Sequence, residues 1–222
     1  MFISKLSLRN FRNFRNVTLN FNKGVNTIIG ENGSGKTNLF HAIRLLIDES
    51  MPRGVRLYEN DFNRSLGKWA GHWIIIQIEF QELDSSEEAQ SIAMHKIGAV
   101  DDFDSSQGTY CMFFRPRIEI RRNLFKLSQS DDKTAEELED ILNEISLNDY
   151  ESVFTGRGNV DFSDEETYLE YIGNFDEIIF PDPDEEQTDV YGIKMYGISI
   201  PNEFACTFAK ALRDVESDLR SY

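Results

Sequence analysis

Residues 30–37 read Gly-Glu-Asn-Gly-Ser-Gly-Lys-Thr, which fills every fixed position of the phosphate-binding pattern G-x-x-x-x-G-K-[ST]. Glycines at 30, 33 and 35 let the backbone wrap until successive N–H groups point inward at phosphate oxygens. Lys36 is placed to reach the β- and γ-phosphates, and the Thr37 hydroxyl to sit on a divalent cation. An apolar run (Val25, Ile28, Ile29) precedes the loop and predicts a buried strand over 25–29. A helix follows, with Leu39, Ile43 and Leu46 at i, i+4, i+7, ending before Pro52. Its N-terminus faces the loop, so the positive end of the helix also favours an anion. A plain tight turn is the alternative account, but such a turn needs neither three glycines nor a Lys-Thr pair after them. The pattern implies nucleoside triphosphate binding.

Upstream, residues 2–11 and 16–22 read as strands, with Val17, Leu19 and Phe21 alternating against Thr18, Asn20 and Asn22. The Asn-Phe-Arg-Asn-Phe-Arg-Asn tract between them supplies a turn. Downstream, Ile74, Ile76, Ile78 and Phe80 line one face of a strand. A second long strand is expected over 110–121, with Arg115, Arg117, Glu119 and Arg121 on one face and Pro116 confining it to an edge or bulge. Two capping boxes, Thr134 with Glu137 and Ser163 with Glu166, mark helix starts. Residues 181–189 form an acidic loop. A last strand over 204–208 leads into a helix that reaches Tyr222 with no Gly or Asn stop, so the chain is expected to be cut rather than finished. His41 is expected on the solvent side of the loop helix with Arg44 and Asp48.

At 222 residues the chain is long enough for a sizeable core. Cys111 and Cys206 lie far apart and the three histidines are scattered, which supports neither a disulfide framework nor a zinc site. The start is alternating and charged, unlike a signal peptide, and the longest wholly apolar runs are only about four residues, so no membrane span is expected and the cytoplasm is the default. The net charge of −16 is uneven. Residues 1–126 carry 17 Lys and Arg against 14 Asp and Glu; residues 127–222 carry 6 against 25. The second part would repel a nucleic-acid backbone. The best cationic groups are Arg115, Arg117 and Arg121, with Arg53, Arg56, Arg64 and Lys68 in an irregular segment. A solvated strand face is the favoured account of the first group, and duplex DNA binding by this chain alone is not expected.

A P-loop hydrolase also uses a second apolar strand ending in Asp to hold Mg²⁺ and place water. The nearest stretch is Ile178-Ile179-Phe180-Pro181-Asp182, where Pro181 disrupts a central strand.

Leu8-Arg9-Asn10-Phe11-Arg12-Asn13-Phe14, a short strand, and then GENGSGKTNL resemble the ABC-type ATPases of the RecF and SMC class. More narrowly, His41–Leu46, Glu59-Asn60-Asp61-Phe62 and residues 211–220 resemble the overcoming-lysogenisation-defect (OLD) family, including the Gabija A proteins of anti-phage defence, in which the ATPase precedes a Toprim nuclease. The resemblance implies an α/β P-loop NTPase, an ABC/SMC-type lobe: a mixed sheet, an antiparallel β-subdomain from 1–22, 74–80 and 110–121, and a helical insertion. Within residues 1–222 it divides the chain into a P-loop lobe (1–80), a divergent insertion (84–200) and a returning strand and helix (204–222). It implies ATP and Mg²⁺ as cofactors, with Gly30, Asn32, Gly33, Ser34, Gly35, Lys36, Thr37 and Asn38 cradling the nucleotide and Arg12 at its edge. Lys36 would be the catalytic residue and Thr37 the metal ligand. It also implies a homo-oligomer, and DNA as a partner of the complete protein, with hydrolysis gating nuclease action. The rivals are a RecF/SMC-like repair ATPase without nuclease, a small-molecule or nucleotide kinase, and a module that holds ATP without turnover.

Overall fold

The sheet grows outward from β1 (Phe2–Phe11), whose residues from Leu6 onward are buried on both faces. The structure is a computed structural model and describes residues 1–49, 51, 57–83, 107–156, 158, 160–194 and 206–208. β1 pairs with β2 (Phe14–Asn20) on one side and β3 (Ile74–Gln81) on the other. β4 (Gly108–Pro116), β5 (Tyr150–Gly156) and β6 (Ile193–Lys194) continue the sheet in the order β2-β1-β3-β4-β5-β6. Every pairing among the described residues is antiparallel. One register row runs Val17, Leu8, Ile76, Met112, Phe154 across five strands, so a single apolar stripe spans the sheet.

That stripe faces α1 (Lys36–Ile47), α2 (Ile118–Ser128) and α3 (Ala135–Glu144), which add Leu39, Ala42, Leu46, Leu124, Leu138 and Leu142 to one core. The opposite face carries Ile75, Cys111, Phe113 and Val153. Phe162, Tyr168 of α4 (Glu165–Tyr171) and Tyr191 of α5 (Thr188–Tyr191) cover it. β3 and β4 are therefore covered on both sides. Each wholly buried aliphatic side chain there, such as Ile76, contributes about 1.5–3 kcal/mol. Among the described residues no helix is long and apolar enough to cross a membrane.

The α/β class and the antiparallel pairing of the first strands match the expectation; the expected mixed sheet does not, since no parallel pairing occurs among the described residues, and several local elements differ. Residues 25–29 form no strand, and Val25 and Ile29 are 96% and 91% exposed. A buried strand exists only through its neighbours, and among the described residues none pairs with this segment. The expected strand over 110–121 stops at Pro116, which pairs with Tyr150 as the last rung of an interior strand, not at an edge or bulge. Ile118 onward is helical, so Arg117 and Arg121 leave the strand face. α4 starts one residue later than expected: Asp164, not Ser163, caps it, accepting from the Thr167 N–H at 2.9 Å. α3 keeps its predicted box, with Thr134 Oγ1 accepting from Glu137 N at 3.2 Å and Glu137 accepting from Thr134 N at 3.0 Å. Asp48 is buried and ion-paired to Arg44 at 2.5 Å, and His41 is half-buried and stacked on Phe11, so neither is a free surface group. Of the expected final strand and helix, 204–205 and 209–222 lie outside the described residues; 206–208 are not strand.

Candidate functional site

The loop ends where α1 begins. Gly35 caps α1 in a left-handed conformation (φ 100°) with no side-chain hydrogen bond, and the first helical turn holds no acidic residue. The helix N-terminus thus keeps its unpaired N–H groups and its positive end for an external acceptor. Gly33 is also left-handed, at φ 84°. At Gly30 a Cβ would sit 2.8 Å from Ser34 Oγ, so glycine there allows the loop to close on itself. Asn32 and Gly33 form the exposed crown, Thr37 is exposed on the first turn of α1, and Gly35 is buried beneath.

Lys36 does not point freely into solvent. Its Nζ donates to Gly30 O at 2.6 Å and Glu31 O at 2.7 Å, folding back over the loop mouth. A third, longer contact reaches Ser34 Oγ at 3.5 Å, so the ammonium is tied to the loop itself.

Arg12 reaches the loop through the turn between β1 and β2. Asn10 and Arg12 both have left-handed backbones (φ 56° and 51°), which non-glycine residues adopt only where the surroundings hold them. Several contacts do so. Asn63 N donates to Asn10 O (3.0 Å), Asn63 Nδ2 to Arg12 O (2.7 Å), and Arg12 N to Asp61 O (2.7 Å). Asn10 Nδ2 donates to Trp73 O (2.9 Å) and Tyr168 Oη (3.0 Å). Arg12 then spans two partners: Nε donates to Asp61 Oδ1 at 2.8 Å and Nη1 to Asn38 Oδ1 at 2.9 Å. Asn38 Nδ2 donates to Asn13 Oδ1 at 2.7 Å, and Asn13 Nδ2 to Ser34 O at 3.4 Å.

Beside this turn lies an open cleft of about 510 Å³ lined by Arg12, Asn13, Asn38, Asn60–Arg64. That is the volume of a small-molecule site. Of the expected site residues, Arg12, Asn38 and Ser34 are linked through Asn13, with Gly35 against the Asn13 carboxamide and Lys36 at the loop mouth. The sequence did not single out Asn13, Asp61 and Asn63 as site residues. Their signal was the Asn-rich tract at 10–16 and the Glu-Asn-Asp-Phe stretch, which read only as turn and family patch.

The other proposed cluster is split, and the two arginines that stay together are paired with acids. Arg115 is 2% exposed and pairs with Glu151 (3.1 Å) and with Glu186. Arg121, on α2, donates to the same Glu186 at 2.6 Å. Both guanidiniums lie against Trp73, 5.1 and 5.6 Å from its ring centre. Burial and the adjacent Arg115 hold Arg121 below the usual arginine range. Burial would raise the Glu186 carboxyl, but Arg115 and Arg121 prevail and hold it below the usual value. Arg117 turns away to Asn148 O (3.1 Å), and Arg53 and Arg56 lie outside the described residues. The cavity here, about 20 Å³, has room for about one water.

Asp182, the nearest hydrolytic acid in the sequence, accepts from Asp184 N at 2.9 Å and caps a short 3-10 turn over Pro183–Glu185. Gln77 is buried in β3, opposite Ser7 and Cys111. Among the described residues no group of His, Cys, Asp and Glu could hold a metal ion by itself.

A glycine-rich loop at an uncapped helix N-terminus, set against an antiparallel sheet, defines a P-loop NTPase lobe. The AAA ATPase domain model (AAA_15) matches residues 1–196, and the chain belongs to that family. It is similar to the DNA replication and repair protein RecF of Geobacillus kaustophilus (strain HTA426), 54% identical over 46 residues, covering 21% of this chain and 12% of that protein. RecF of Bacillus cytotoxicus (strain DSM 22905 / CIP 110041 / 391-98 / NVH 391-98) is 42% identical over 86 residues, covering 39% and 21%. Among solved structures, one described as "Structural biochemistry of ATP-driven dimerization and DNA stimulated activation of SMC ATPases" aligns over 85% of this chain and 88% of that one, at 18% identity and a TM-score of 0.39. The matched segment spans about an eighth to a fifth of the RecF relatives' length.

Proposed function

We propose that this chain binds ATP with Mg²⁺ at residues 30–38. The phosphates lie on the loop N–H groups and the α1 N-terminus, Thr37 ligates the cation, and the nucleoside lies toward the cleft between Arg12, Asn38 and residues 60–64. The observation that carries this is the uncapped, acid-free start of α1 opening beside a ligand-sized cleft. When bound, Mg²⁺ would neutralise phosphate charge. Lys36 then shifts from the Gly30 and Glu31 carbonyls to the phosphates, stabilising negative charge as it develops. A charge-assisted contact of this kind contributes about 1.5–3 kcal/mol, or on the order of 10–100-fold in affinity. Calorimetric titration of ATP into wild type and Lys36→Ala tests it; equal affinities would remove the loop as the site.

For the complete protein we infer ATP-gated DNA processing by a homo-oligomer in the cytoplasm, with DNA engaged by the whole protein rather than by these residues. The OLD-like patches at 41–46, 59–62 and 211–220 support a nuclease partner domain. The RecF relatives at 42–54% identity support a second reading, a repair ATPase without nuclease. Incubating the full protein with supercoiled plasmid, ATP and Mg²⁺ separates the two: nicking supports the nuclease, and an intact plasmid with nucleotide turnover supports the repair ATPase.

A further inference from the structure

Two asparagines connect Arg12 to the loop backbone, and their orientation is forced. Arg12 can only donate, so it must meet the oxygen of Asn38. Asn38 then presents its NH₂ to Asn13, which must offer its own oxygen. That leaves the Asn13 NH₂ facing the Ser34 carbonyl, which can only accept. Donor-only and acceptor-only ends permit one assignment of both amides. The hydrogen bonds all run one way, from the Asp61-paired guanidinium to the phosphate loop.

We propose that Asn13 is a positioning residue for nucleotide binding: it fixes the Ser34–Gly35 peptide so that the Gly35 N–H faces the phosphates. In a trans peptide the C=O and N–H point in opposite directions. Holding the Ser34 carbonyl toward Asn13 therefore turns the Gly35 N–H away from Asn13, to the side assigned to the phosphates. The carboxamide also packs on the α-carbon of Gly35, where a Cβ would collide with it. Rotation of that peptide, which would aim a carbonyl at the ligand, requires Asn13 to move. Asn13 itself need not touch the nucleotide. Its effect passes through a backbone donor that is set before binding, so no reorganisation is needed when phosphate arrives.

The inference rests on the loop being the nucleotide site, and the test separates the two. ATP affinity is measured by calorimetry for wild type, Asn13→Ala, Asn38→Ala, the Asn13→Ala/Asn38→Ala double variant and Lys36→Ala, each below its own melting temperature. Asn13→Ala is expected to weaken ATP binding about tenfold, the scale of one well-placed hydrogen bond. The double variant should be much less than additive, because both substitutions cut the same relay. In ¹⁵N-glycine-labelled, nucleotide-free protein, the Gly35 amide resonance should shift in Asn13→Ala, a change that loss of global stability alone would not produce. Weakening by Lys36→Ala with unchanged ATP affinity in Asn13→Ala would overturn the positioning role. Full additivity, or an unmoved Gly35 resonance, would overturn it too. Unchanged affinity in Lys36→Ala would overturn the site reading beneath it.

Discussion

Two parts of this molecule assemble arginines and acids, and they use them in opposite ways. Around Arg115 and Arg121, four charged groups close over Trp73 and leave room for about one water. Around Arg12 and Lys36, the donors line a cleft of about 510 Å³ and an open loop mouth. In the first region each cation is matched by a carboxylate brought from distant sequence, so charge is spent on holding α2, β5 and the 183–186 segment together. In the second, Arg12 is matched by Asp61, while Lys36 is held by two loop carbonyls and the Ser34 hydroxyl and has no carboxylate partner among the described residues. The same residue types yield a closed clasp or an open cleft according to what faces them.

The contrast can be broken most sharply at Arg115. Removing one member of a buried, paired network leaves Glu186 and Glu151 without their main partner. Arg115→Ala is therefore expected to cost about 3–5 kcal/mol in urea unfolding while ATP affinity is retained. A shift of less than about 1 kcal/mol would show that the network is a surface arrangement.

His72 offers a pH test of the covered side of the sheet. Burial, with Arg15 and Arg9 nearby, lowers its pKa to about 4 from 6.5. The unfolded chain therefore binds the proton first. Stability is full above pH 6.5 and declines as pH falls from 6.5 toward 4, by at most about 3 kcal/mol. His72→Gln should flatten that slope in denaturation measured across pH; an unchanged slope would assign it to another group. Glu186 adds a loss at lower pH, since its depressed folded value makes its contribution fade as pH drops below 4.5.

The smallest expected effect concerns DNA. With Arg115 and Arg121 neutralised and Arg117 turned to a carbonyl, no cationic face remains there for a phosphate backbone. Duplex binding by this chain should stay in the non-specific range of about 10⁻⁴–10⁻⁶ M at physiological salt. Arg117→Ala should leave it unchanged. Anisotropy over a salt series checks this, and submicromolar binding with a steep salt slope would overturn the division between clasp and open site.

What could be read in the sequence was whatever depends on local spacing. The phosphate loop is a contiguous pattern, the alternation of Val17 and Leu19 with Thr18 and Asn20 survives as a half-exposed β2, and the Thr134–Glu137 box closes within four residues. Errors arose where two periods coexist. Ile118 and Ile120 alternate like a strand, yet Ile120, Leu124 and Leu127 recur at helical spacing, and the helical set prevailed once Pro116 ended β4. β5 went unrecognised because Tyr150–Gly156 is short and mixes half-buried polar residues with apolar ones.

By itself, then, the sequence determined the loop, its lysine and the helix that follows, because these need only neighbouring residues. Tertiary structure alone decided which arginines are spent and which side chains shape the loop. Glu186 reaches Arg115 across 71 positions, and Asn38 meets Asn13 across 25. It also decided that residues 25–29, apolar enough for a strand, form none and leave Val25 and Ile29 exposed while Ile28 packs on the core, since a strand is made by the partners beside it and no local pattern supplies them.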